Sequence, residues 1–152
     1  MRPGDTFACM ELPGELLFED WRPGHPHVKR TVPRTQVPGL YGLADKAGSV
    51  TFTWNDGGDP VMVVGVGPDW SVATLMIDQN WYSYVIGDAE GFISIDLSGQ
   101  TCEWPRAELL PRAAALPVLM TVPDLTAIRR GFPWLSQWRD VETDPAPDIT
   151  TG

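Results

Sequence analysis

Residues 49–97 hold five short runs rich in apolar and β-branched residues, each closed by turn residues. The runs are SVTFTW (49–54), VMVVGVG (61–67), SVATLMI (71–77), WYSYVIG (81–87) and GFISIDL (91–97). NDGGDP, PD, DQN, GDAE and SGQ punctuate them. Such spacing predicts a chain of β-strands joined by tight turns. Loops this short cannot carry crossover helices, so neighbouring strands must run antiparallel. Val50, Phe52 and Trp54 alternate with Ser49, Thr51 and Thr53, and Ile93, Ile95 and Leu97 alternate with Ser94 and Asp96. That period of two predicts one buried face and one wet face.

The flanks read differently. Residues 5–21 predict two short strands around Pro13-Gly14, a pair suited to a type II turn. Residues 22–48 carry repeated Pro and Gly and read as an irregular, loop-rich segment. Within it, HVKRTV predicts one short strand, and Arg22, Lys29, Arg30 and Arg34 form a basic patch. After residue 104 the period changes. Pro111 can open a helix, and Pro117 should kink or split it. A second helix is expected to begin at Pro123-Asp124 and end at Arg129-Arg130-Gly131, where late arginines and a following glycine are stop signals. PWLSQWRDV reads as a closing strand, with Trp134, Ser136 and Trp138 on one face and Leu135 on the other. The expected architecture is α+β: a curved antiparallel β-meander sheet, one or two C-terminal helices packed on one face, and a closing strand. Residues 1–141 would form one domain, and residues 142–152 a disordered acidic tail.

Charge narrows the function. The chain has 20 Asp and Glu against 11 Lys and Arg, a net charge of −9. Between Lys46 and Arg106 there is no Lys or Arg, yet that interval holds Asp56, Asp59, Asp69, Asp78, Asp88, Glu90, Asp96 and Glu103. Binding nucleic acid directly requires a basic surface that displaces counterions, so that class is excluded. An acidic middle instead suits a basic protein partner, or simply a solvated face. No stretch approaches the ~20 apolar residues of a membrane span, and no signal-peptide core is evident. A cytoplasmic protein with reduced thiols at Cys9 and Cys102 is expected.

Motifs for catalysis are weak. GVGPDW follows a strand, but a new strand starts at once, so no helix N-terminus stands ready for phosphate. His25 and His27 flank Pro26 without an evident third metal ligand. The two cysteines lack zinc-site spacing, and no Gly-x-Ser-x-Gly elbow occurs. No metal, cofactor or catalytic set is expected. Trp54 and Trp104 fit core strand positions. Trp70 and Trp81 stand at turn–strand junctions beside acids, where aromatic residues can anchor an interface.

The order of these pieces resembles a known family. A meander followed by RAAALPVLMTVPDLTAIRRGFPWLSQWRDV is similar to the family-one immunity proteins of bacterial polymorphic toxin systems. Gly131, with Pro133 and Trp138 five apart, carries the resemblance, and FTWNDGGDPVMVVGVGPDWSVATLMID resembles the family's central hairpins. It spans residues 49–141. The resemblance implies a protein that binds and occludes a cognate toxin, of deaminase or nuclease type, with a basic active-site groove. Asp56, Asp59, Asp69, Trp70, Asp78, Trp81, Asp88 and Glu90 are then the expected partner-binding residues. Two other readings stand beside it. One is a small α+β enzyme or ligand-binding protein with a Trp-lined pocket, with His25, Asp140 and Glu142 as acid–base candidates. The other is a structural subunit.

Overall fold

Alternation sets the sheet in the computed structural model, which describes residues 12–136. Strands β1 (Glu15–Asp20), β2 (Val28–Pro33), β3 (Val50–Trp54), β4 (Val61–Val66), β5 (Ser71–Ile77) and β6 (Asn80–Tyr84) pair antiparallel. β7 (Phe92–Leu97) and β8 (Gln100–Pro105) form a separate hairpin, and β9 (Trp134–Ser136) returns to the edge of the large sheet. The seven-stranded sheet has the order β2-β1-β3-β4-β5-β6-β9. The fold is α+β, as the segregated pattern predicts.

One face of the sheet carries the core. Register places Phe18 opposite Phe52, Phe52 opposite Val64, and Val64 opposite Ala73, so apolar side chains line up across four strands. Trp54 is fully buried, and its indole donates to Pro13 O at 2.7 Å. The short helices cover this face. Helix α1 (Val37–Tyr41) contributes Val37 and Tyr41, and the C-terminal elements contribute Ala115, Val118, Leu119, Val122 and Ile128. Burying apolar side chains between layers is the main stabilising term.

Two expectations are corrected. Residues 91–97 do not extend the meander. The β6 edge is taken by β9, with Tyr84 opposite Trp134 and Val85 N donating to Pro133 O at 3.0 Å. The chain instead crosses to the other face, where β7 and β8 pack over Trp70 and Val72 through Ile95. Gly65 allows this close approach, because a Cβ there would lie 2.5 Å from Leu97 Cδ1. Nor is the segment 22–48 simply irregular. Its strand β2 is followed by a 3-10 turn, Arg34–Gln36, and then α1, with Pro38 in the first helical turn.

The C-terminal half follows its punctuation. Pro111 precedes a 3-10 turn, Arg112–Ala115, which runs into α2 (Leu116–Leu119) with Pro117 near its start. The proline therefore divides the region, since it can occupy a first turn but not an interior. Helix α3 (Leu125–Gly131) is capped by Asp124, whose carboxylate accepts from Ala127 N at 3.1 Å. Asp124→Ala should lower stability by about 1 kcal/mol in urea unfolding; an unchanged midpoint would show that water replaces the cap. Trp134 is half-buried and Leu135 exposed, as alternation requires. The first strand expected in residues 5–21, along with Cys9, Trp138 and the tail, lies outside the described residues.

Candidate functional site

Successive hairpin turns of an antiparallel sheet fall at alternate ends. Asp56 and Asp59 in the β3–β4 turn therefore share one end with Asp78 in the β5–β6 turn. The Asp59 carboxylate accepts from Asp78 N at 2.8 Å and Gln79 N at 3.0 Å. This ties the two turns together and holds Asp78 and Gln79 at positive φ, 53° and 67°. Asp59 is thus a structural acceptor as well as a charge. Trp81, the second residue of β6, lies at the same end opposite Met76 and is half-buried.

Asp69 lies at the other end, in the β4–β5 turn, and Asp88 and Glu90 lie on the connection that leaves β6 at that end. All six carboxylates are exposed. The expected partner-binding residues therefore divide into two acidic groups. Trp70 is a correction: it is buried, at 7% exposure, and packs with Val72 and Ile95 in place of pointing outward. The reason is local, since a Cβ on Gly67 would lie 2.1 Å from the Trp70 ring. Glycine leaves the space into which the indole folds.

Four arginines bond to or pack on the fold; Arg22 and Arg112 are half-buried, while Arg30 and Arg34 stay exposed. Arg22 pairs with Asp20 at 2.9 Å, and its guanidinium holds that carboxyl below the ordinary carboxylate range. Arg34 donates to Met120 O and Val122 O at 3.2 and 2.8 Å. Arg112 donates to Gly67 O, Tyr41 O and Ala44 O at 2.9, 3.3 and 3.2 Å. Arg30 lies over the Phe18 ring, 5.8 Å from its centroid. The basic patch of residues 22–34 is thus partly structural. Among the described residues, no ion pair engages Asp56, Asp59, Asp69, Asp78, Asp88 or Glu90.

Of the rival reading's three acid–base candidates only His25 lies among the described residues. His27 Nε2 lies 3.1 Å from Glu19 Oε2, and its ring lies tilted against Trp21, with centroids 4.4 Å apart. His25 is exposed, while Asp140 and Glu142 lie outside the described residues. Among the described residues no three His, Cys, Asp or Glu side chains cluster as metal ligands. Cys102 is a half-buried free thiol on the hairpin, packed with Trp104 against the second core. A shallow cleft of about 220 Å³ opens between α3 and β6, with Trp134, Tyr82, Asp78 and Arg129 on its walls. Its single tryptophan is fixed by donation to Ile128 O at 2.8 Å.

Fold and site together define an open α+β sheet with a filled core and acidic turns at both ends. No helix among the described residues is long and apolar enough to cross a membrane. No family model, curated protein or solved structure matches the chain.

Proposed function

We propose that this chain is a non-catalytic binding protein for a basic protein surface, acting as an immunity protein that occludes a cognate bacterial toxin of deaminase or nuclease type. One observation carries the reading: the exposed acids of the meander have no cationic partner among the described residues. A nucleic-acid-processing enzyme has a basic substrate groove, and complementary charge both steers encounter and fixes register. Occlusion needs no chemistry from the inhibitor, only contact with a few anchors.

The test is binding to the toxin encoded beside this chain. Asp56→Asn, Asp78→Asn, Asp88→Asn and Glu90→Gln combined should slow association at least about tenfold and flatten its salt dependence. Asp59 is left intact because its carboxylate holds the β5–β6 turn. Unchanged association, or no complex with that toxin, would remove the reading.

A further inference from the structure

The cleft between α3 and β6, of about 220 Å³, is lined by residues that the fold brings to one place. Register sets Leu75 opposite Tyr82 and Ile77 opposite Asn80. Trp134 stands opposite Tyr84, two residues from Tyr82 on β6. These side chains therefore share the core face of the sheet. Arg129 of α3 and Asp78 of the β5–β6 turn line the cleft with them. Bonds of the fold set its walls. The Trp134 indole donates to Ile128 O at 2.8 Å, beside Arg129, and its ring meets Tyr84 edge-on at 5.8 Å. Asp78 is held at a φ of 53°, with its N–H donating to the Asp59 carboxylate at 2.8 Å. The polar groups of the cleft are unused. Among the described residues Arg129 makes no hydrogen bond or ion pair, whereas Arg22, Arg34 and Arg112 are all bonded. The Tyr82 hydroxyl makes no hydrogen bond among them either. The Asp78 carboxylate pairs with no cation, although Arg129 lines the same cleft.

We infer that this cleft binds the zwitterion of a small α-amino acid with an apolar or aromatic side chain. The head of such a molecule carries a carboxylate and an ammonium on one carbon. It matches a cation and an anion that line one cleft without closing on each other. The guanidinium of Arg129 offers paired donors to the carboxylate, and Asp78 accepts from the ammonium. Leu75, Ile77 and the rings of Tyr82 and Trp134 supply apolar and aromatic surface for the side chain. Size points the same way. Drug-sized ligands occupy roughly 300–1,000 Å³, so about 220 Å³ suits a molecule no larger than an amino acid. Arg129 and Arg130 both stand in the last turn of α3, where cations favour the helix C-terminus. Only Arg129 lines this cleft, so substitution separates a ligand role from a helix role. The inference goes beyond the toxin reading and needs no protein partner.

The probe is L-phenylalanine, titrated into the full chain and followed by amide and indole NMR shifts. Saturable shifts are expected at residues 75–82, at the Arg129 amide and at the Trp134 indole, with a dissociation constant on the order of 1 mM. N-acetyl-phenylalanine lacks the ammonium and phenylalanine amide lacks the carboxylate, so each should bind about fivefold more weakly or worse. Arg129→Gln and Asp78→Asn should each weaken phenylalanine binding by a similar factor. Both side chains are exposed, and asparagine tolerates positive φ, so both variants should keep the parent's urea midpoint. Arg130→Gln, which alters the same helix end, should leave binding unchanged, as should Asp88→Asn at the other end of the sheet. Three results would overturn the inference: no saturable shifts, a blocked analogue that binds as tightly as phenylalanine, or binding untouched by Arg129→Gln or by Asp78→Asn.

Discussion

Replacing Phe52 by alanine should lower the unfolding free energy by about 3–5 kcal/mol. Phe52 is fully buried in β3, with neighbouring strands on both sides. Its ring meets Phe18 of β1 at 5.4 Å and Tyr41 of α1 at 6.3 Å, and Val64 of β4 faces it in register. One side chain thus joins three strands and a helix from distant parts of the chain. The loss combines the lost burial of a large ring with the cavity left behind, and that cavity is hard to refill. The strands are fixed by their register, and α1 is held by Tyr41, whose hydroxyl donates to Arg112 O. Urea unfolding should show a lower midpoint with an unchanged slope. Phe92→Ala is the contrast: that ring is 62% exposed, so its removal should cost less than about 0.5 kcal/mol. A Phe52→Ala loss below about 1.5 kcal/mol would mean that the helices close the gap, contrary to the fixed layer described here.

Much of this arrangement was legible in the residue pattern. The runs from Val50 to Tyr84 announced their strands because a period of two, closed by turn residues, has few other solutions. Arg129, Arg130 and Gly131 announced where α3 ends, because late cations suit a helix C-terminus and glycine a stop. Helix α1 was not legible. VPGLY has no helical apolar period, and its Pro and Gly suggest a loop. The helix forms because Val37 and Tyr41 complete a core that strands far along the chain supply. The departure of β7 was hidden for a related reason. Its alternating pattern suits any half-buried strand, and only the competition of β9 for the β6 edge decides where it goes.

The candidate site shows the same division. The stretch lacking lysine and arginine was plain, but its acids looked like one surface. Strand direction separates Asp56, Asp59 and Asp78 from Asp69, because hairpin turns alternate ends. That much could be inferred from order alone. The burial of Trp70 could not, since it depends on Gly67 meeting the ring after the turn has closed. The bonding of the arginines is equally non-local: Arg34, though exposed, reaches carbonyls at residues 120 and 122.

Arg112→Met should cost about 3 kcal/mol, although it keeps the apolar stem. The guanidinium donates to Tyr41 O and Ala44 O near the end of α1 and to Gly67 O beyond β4, so it clamps three segments at once. Methionine leaves three part-buried carbonyls without that donor, and a carbonyl that loses its partner away from water loses more than the net value of the bond. Arg112→Lys should recover about 1 kcal/mol at most, because an ammonium is a point charge and cannot reproduce the fixed fork. Urea midpoints of the two variants test the order. A methionine variant within about 1 kcal/mol of the parent would show that water replaces the clamp.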